Sequence, residues 1–403
     1  MFRSFRFRNY RLWFLGALVS NIGTWMQRTA QSWLVFDELT DHDATAMGVV
    51  TALQFLPQLL LAPWAGVLAD RLDRRRLLLW TQTSMAVLAA GLGALVLADA
   101  ATLWHVYGFA LALGVVSTLD APVRQTFVSE MVDDAYLSNA VALNATSFNT
   151  ARMIGPAVAG VLVASIGSGW VFLLNTVTFG AMLAAVLAIR TDELRGMPRS
   201  GRGRGQIREG LAYVGGRPDI VAVLVTIFLI GTFGLNFAVF LAAMAGPEFG
   251  RGPETFGLLN SVLAVGTVAG ALLSARRRSA RLRYVYGGSA VFALSCLGAA
   301  TAPSLPLFAL WLVPCGVSSL TIMTTANAYV QSTTSPVMRG RVMSLYMAIF
   351  LGGTPVGAPV VGWITDALGA RWGMGAAVAA GLGGALVGLT VRLRAGRPSA
   401  PDG

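Results

Sequence analysis

The sequence predicts an all-α membrane protein of twelve transmembrane helices arranged as two six-helix pseudo-repeats. Three observations predict it: apolar blocks of spanning length, arginines confined to alternate loops, and a repeat at half the chain length. Hydrophobic residues make up 55% of the 403 and charged residues 12%, about half the charged share usual in soluble domains. Cores of ordinary size cannot hide that much apolar surface; lipid can. Many apolar blocks approach the roughly 20 residues that cross a bilayer as a helix. With 46 glycines and no sustained period-two alternation, they read as helices rather than barrel strands.

The predicted spans are 11–36, 47–69, 77–98, 103–125, 138–166, 170–190, 219–245, 255–275, 284–302, 305–331, 341–368 and 372–393. The basic N-terminus ahead of span 1 resembles a signal peptide. However, the apolar stretch is long, carries polar residues and lacks a small-x-small cleavage site before Arg28, so it reads as an uncleaved first span. The spans divide the chain into an N-terminal half (1–190), a central loop (191–218), a C-terminal half (219–393) and a tail (394–403). Within the central loop, 207–213 has the pattern of a short amphipathic surface helix.

All 30 basic residues are arginine. Twenty-six fall at the N-terminus, at the ends of spans or in the loops after spans 2, 6, 8 and 10, at the end of span 4 (Arg124), or in the tail, while only Arg251 and Arg371 fall on the alternate side. Positive residues stay cytoplasmic during insertion, so both termini are expected there, and an even number of spans is required. The opposite loops carry Asp37, Glu38, Asp41, Asp43, Asp99, Glu248 and Glu254. This placement accounts for the net charge of +11 without nucleic acid, which is not an expected partner.

At an offset of 202, Gly155, Gly160, Gly167 and Trp170 fall on Gly357, Gly362, Gly369 and Trp372. Gly66 and the basic cluster after it match Gly270 and Arg276–Arg278 at an offset of 204. Two halves in the same orientation predict a transporter built from parallel repeats.

Polar residues inside the spans are the candidate site. Asn21, Thr24, Arg28 and Gln31 share one helical face of span 1, with Gln27 and Ser20 beside it. Such a stripe faces protein or water, not lipid, and is expected to line a central cavity or a hydrogen-bonded seam between helices. Arg28 and Arg152 lie within spans, at a cost of roughly 3 kcal/mol each on lenient insertion scales. They either contact an anionic or catechol-like substrate or pair with helix-end carbonyls or a buried acid such as Asp120. Asn149 shares the face of Arg152. Asp120 and Arg124, spaced i,i+4 in span 4, predict an ion pair with a structural or gating role; Asp120 is also a candidate proton carrier. Asn236 in span 7 and Thr324 and Asn327 in span 10 are available to the cavity from the second half.

Gly66, Asp70, Arg71, Arg74 and Arg75, between spans 2 and 3, resemble the signature of the major facilitator superfamily, with Asp73 in place of its second glycine. The resemblance implies a gating cluster that latches the cytoplasmic ends of the two halves. In the second half Ser274 stands where Asp70 would be, so that copy is degenerate. Gly155, Pro156 and Gly160 in span 5 are similar to the exporter-associated motif of drug/proton antiporters, although Ala151 and Ala142 replace its upstream glycines. Arg339, Arg341, Ser344 and the run Gly352, Gly353, Pro355, Gly357 resemble the branch containing enterobactin exporters, as does the opening stretch around Trp25 and Trp33.

These resemblances imply the major facilitator fold and proton-driven export of a small organic molecule, siderophore or drug-like, from a plasma (inner) membrane. A monomer in the bilayer is expected, with no cofactor beyond a proton gradient. Import or facilitation by the same fold is the alternative. An enzyme is disfavoured because His42 and His105 lie near loops and no nucleophile–base pair or metal cluster is visible. An ATP-driven pump would need a phosphate-loop lysine that the chain lacks.

Overall fold

The computed structural model describes residues 3–195, 206–277, 279–335 and 337–395, and all regular structure among them is helical. The first half contains α1 (Arg8–Trp33), α2 (Ala44–Arg71), α3 (Arg74–Leu97), α4 (Leu103–Met131), α5 (Asp134–Ile166) and α6 (Ser168–Leu187). A short helix, α7 (Gln206–Gly215), precedes α8 (Pro218–Leu229), which runs through a π-turn into α9 (Phe237–Ala243). Then come α10 (Pro253–Ala275), α11 (Leu282–Ala300), α12 (Leu305–Thr333), α13 (Arg339–Gly352), α14 (Thr354–Leu368) and α15 (Ala370–Ala395).

Among the described residues, ten helical stretches are long and apolar enough to cross a membrane. The stretches at spans 1 and 9, α1 and α11, are also helical and long enough, but they fall outside that set. In α1 the cause is the polar stripe itself, which buries Asn9, Ser20, Gln27, Thr29 and Gln31 inside the protein. Outward-facing surfaces carry large apolar side chains such as Trp104 and Val177, 79% and 70% exposed, as lipid contact requires.

Two expected spans are broken. Span 7 is divided by the π-turn Ile230–Gly234, and span 11 is divided at Gly353. The two breaks meet: a Cβ on Gly357 would lie 1.8 Å from the Thr232 carbonyl oxygen, and one on Gly353 2.1 Å from the Thr232 hydroxyl. A side chain at either position would push the helices apart. Asp73, which departs from the family signature, caps α3 by accepting from the Arg76 backbone N–H at 2.7 Å.

The pseudo-repeat is visible in the backbone. Gly167 and Gly369 end α5 and α14 with φ of +84° and +101°, and each N–H donates back four residues, to Val163 and Thr365. The matching Trp170 and Trp372 both point outward. A pair absent from the sequence comparison obeys the same offset. Gly114 of α4 rests on the Gln54 carbonyl of α2, and Gly316 of α12 rests on the Leu263 carbonyl of α10.

Gly167→Ala or Gly369→Ala is expected to cost about 1–2 kcal/mol, because an L-residue is strained there although nothing stands within 4 Å of the added carbon. Gly180→Ala, in open space within α6, is expected to gain about 0.5–1 kcal/mol. Thermal unfolding of purified variants checks both signs.

The described chain forms two compact units. One comprises Met1–Arg202 with Leu241–Ser261, the other Gly203–Phe240 with Val262–Gly403. Residues 241–261 join the first unit through Phe256 on Trp33, with ring centroids 5.7 Å apart, and Ser261, whose hydroxyl donates to the Met153 carbonyl at 2.9 Å. The central segment divides likewise. Arg195 pairs with Asp133 in the first unit, and Glu209 of α7 pairs with Arg341 in the second. Residues 196–205 and 396–403 of the expected loop and tail lie outside the described residues. Cys296 and Cys315, on separate spans, have sulfurs 3.7 Å apart in the buried α11–α12 contact.

Candidate functional site: a polar cavity in the first unit

A cavity of about 680 Å³ opens among α1, α3, α4, α5 and α6. Asn21, Thr24, Gln27 and Arg28 line it from α1, Asp120 and Arg124 from α4, and Asn149 from α5. These seven sequence candidates are brought together. Gln31 is not on the wall: it is 1% exposed, and its side-chain nitrogen has no partner. The candidates of the second unit bond to residues four positions away in their own segments. Asn236 donates to the Thr232 carbonyl, Thr324 to the Leu320 carbonyl, and Asn327 accepts from Gln331.

The acid in the wall is held from every side. Asp120 Oδ1 accepts from the Thr81 hydroxyl at 2.7 Å and from Gln82 Nε2 at 2.8 Å, while Oδ2 lies 2.7 Å from Arg124 Nε. Arg124 spends its remaining donors on Ser20 (3.1 Å), Gln82 Oε1 (3.1 Å) and Asn21 (3.3 Å). One ion pair thereby ties α4 to α1 and α3. Nε lies within ion-pair distance of the carboxylate without a hydrogen bond to it, so the pair is held by charge and by the terminal nitrogens of Arg124; an unpaired buried charge would cost several kcal/mol. Thr81 and Gln82, 0% exposed, were not among the sequence candidates, although polar residues in an apolar span are themselves a signal. Asn175 of α6 is a further polar residue of this kind; it donates to Gln27 Oε1 and lines the cavity.

Arg28 and Arg152 are placed differently. Asp120 is engaged elsewhere, and neither arginine has an oxygen partner among the described residues. Their guanidinium carbons instead lie 5.2 and 5.5 Å from the centre of the same ring, Trp25, and Arg28 also lies 5.9 Å from Phe55. Each such contact offsets about 0.5–2 kcal/mol of the burial cost, depending on how dry it is. The local cause is Gly155. A Cβ there would stand 2.6 Å from the Trp25 Cβ, so only glycine lets α5 approach α1 this closely.

The remaining gating candidates occupy two places. In α5, a Cβ on Gly160 would meet the Pro253 carbonyl at 2.6 Å, and one on Gly257 of α10 would meet the Pro156 carbonyl at 2.4 Å. The α5–α10 contact is therefore backbone against backbone. At the arginine-rich end, Arg74 pairs with Glu130, and Arg75 donates to the carbonyls of Val186 (3.1 Å) and Leu187 (3.0 Å). Both are thus engaged inside the first unit. Gly66, Asp70 and Arg71 fall in the last turns of α2, and their side chains lie outside the described residues.

Residues 1–401 match the family described as transmembrane secretion effectors. The chain is 26% identical over 369 residues to the staphyloferrin A transporter of Staphylococcus aureus, covering 89% of this chain and 90% of that protein. It is likewise 26% identical over 381 residues to the multidrug efflux pump Tap of Mycolicibacterium fortuitum, covering 88% of each. Among solved structures, a bacterial homologue of the human lysosomal transporter Spinster superposes with a TM-score of 0.74 at 16% identity, covering 98% of this chain and 99% of that one. The nucleoside transporter NupG superposes with a TM-score of 0.72 at 11% identity, covering 97% and 100%. Fold, span composition and a match along nearly the whole length agree: the chain belongs to the transmembrane secretion effector family of major facilitator transporters.

Proposed function

We propose that this transporter exports a small organic molecule by alternating access, in exchange for protons, working as a monomer in the plasma membrane with both termini cytoplasmic. The observation that carries the reading is the Asp120–Arg124 pair on the cavity wall, which couples a titratable group to the α1 face that would hold substrate. A proton on Asp120 removes the anion that orients Arg124. The tie from α4 to Ser20 and Asn21 then loses its anchor, and the α1 face rearranges. Arginine placement supports the orientation, and the named activities of the relatives, siderophore transport and multidrug efflux, support a small organic cargo.

The test is accumulation of a panel of siderophores and lipophilic drugs in inside-out vesicles, with and without an imposed proton gradient. Gradient-dependent accumulation of one class supports the reading. Accumulation that ignores the gradient points to a facilitator, and uptake only into right-side-out vesicles points to an importer. In the same assay Arg28→Ala is expected to reduce transport of anionic substrates about tenfold or more, and that of neutral ones little. Equal losses in both classes at normal protein level would remove Arg28 from substrate recognition.

A further inference from the structure

Among the described residues, the half-buried arginines of the first unit are Arg8, Arg28, Arg74, Arg75, Arg124 and Arg152. Four of them are satisfied by oxygen: Arg8 by the Ala188 carbonyl, Arg74 by Glu130, Arg75 by two carbonyls and Arg124 by Asp120. Arg28 and Arg152 are not. They share one aromatic ring, and a ring attracts the charge but offers no acceptor for in-plane N–H groups. Arg28 stands on the cavity wall with its Nε buried and unpartnered. Arg152 lies one turn beyond the wall residue Asn149, off the wall itself, with its guanidinium carbon 5.5 Å from the centre of the ring that Arg28 also faces.

We propose that Arg28 and Arg152, both held against the Trp25 ring, receive two anionic oxygen groups of a single substrate, so that the cargo is a dicarboxylate or polycarboxylate organic acid. This deepens the export reading and rests on the same cavity. A planar guanidinium binds a carboxylate through two parallel N–H bonds, and two such forks demand two acids. A neutral or cationic drug would leave both cations unpaired. A substrate with one acid would have to share it, one oxygen to each guanidinium, and would give neither the paired fork geometry. Two like charges kept this close without an acid between them are the feature that a dianion resolves. The cavity is also far larger than two carboxylates, which leaves room for the organic skeleton.

The experiment is equilibrium binding to the purified full-length protein in nanodiscs, with sebacate, its monomethyl ester and its dimethyl ester as probes. Their flexible chain lets the two acid groups adapt to the spacing of the arginines. Each esterification is expected to weaken binding about tenfold or more. In Arg28→Gln the diacid is expected to bind like the monoester in the unaltered protein, and in the double variant with Arg152→Gln all three probes are expected to bind alike. Equal affinity for diacid and dimethyl ester, or no binding of the diacid at millimolar concentration, overturns the proposal. So does Arg28→Gln alone erasing every difference between the probes, since that describes a one-anion site. The bisphosphonate of the same chain length distinguishes phosphonate from carboxylate preference; tighter binding of it that depends on both arginines would reassign the acid groups and overturn the carboxylate assignment. The ester series in the unaltered protein needs no variant to fold. Because binding is read without a gradient, its failure leaves gradient-driven export standing, and loss of gradient dependence leaves the binding pattern standing.

Discussion

Asp120→Asn is expected to abolish the response of transport to a pH gradient and to leave a substrate affinity that no longer changes with pH. Asparagine keeps the shape and can still accept from Thr81, but it removes the negative charge 2.7 Å from Arg124 Nε and takes up no proton. A gradient of one pH unit supplies about 1.4 kcal/mol per proton, or about tenfold in accumulation. That factor should vanish from the variant in inside-out vesicles. Potential-driven movement offers an internal control. An anion leaving and a proton entering both carry positive charge inward, and a membrane potential favours either by about 2.3 kcal/mol per charge per 100 mV. The variant should therefore keep its response to an imposed potential with an anionic cargo and lose only its response to pH. If gradient-driven accumulation persists at the level of the unaltered protein, Asp120 does not carry the coupled proton. If binding collapses together with coupling, the pair is structural, because an arginine left unpaired in the wall costs several kcal/mol.

The second large effect is expected at the α5–α10 contact. Gly160→Leu or Gly257→Leu places a branched side chain where a Cβ alone would already lie within 2.6 Å of a backbone oxygen. Flexible side chains could yield; the Pro253 and Pro156 carbonyls sit in backbone and cannot do so without moving a helix. Overpacking of this kind costs about 1–3 kcal/mol, and if the contact forms in one transport state only, that state is depopulated about five- to 150-fold. The readout is labelling of Asn21→Cys by an impermeant thiol reagent, in a protein whose two native cysteines are replaced by alanine. Labelling from the arginine-poor side should rise by that factor, while turnover falls. Unchanged labelling with lowered thermal stability would mean that the contact is a permanent packing element and not a gate.

Part of the candidate site was legible because helical spacing is rigid. Residues 21, 24 and 28 occupy one face whatever surrounds them, and all three line the cavity. Gln31 obeys the same spacing yet is buried off the wall, because periodicity orients a side chain but does not say how far along the helix the open space extends. Asn236, Thr324 and Asn327 show a second limit. A polar residue in a span can be satisfied by its own helix: Asn236 and Thr324 donate to a carbonyl four residues back, and Asn327 accepts from Gln331 one turn on, a solution invisible in a list of polar positions. Thr81 and Gln82 escaped for the opposite reason: their partner Asp120 lies about forty residues away and on another helix.

The fold class follows from composition and block length, because backbone groups in lipid must be satisfied internally and long apolar blocks leave only helices. Sequence likewise sets the repeat: positive-φ glycines such as Gly167 and Gly369 end the helices of both halves at the same step, whatever packs around them. Tertiary structure alone decided the state of each buried charge. Asp120 might have served any of three arginines by sequence; packing of α3 against α4 brought Thr81 and Gln82 to it and committed it to Arg124. The close approach of α5 to α1 at Gly155 then left Arg28 and Arg152 beside one tryptophan, with no acidic partner among the described residues. Charge pairing depends on distances of a few ångströms between helices far apart in the chain, and only their packing sets those distances.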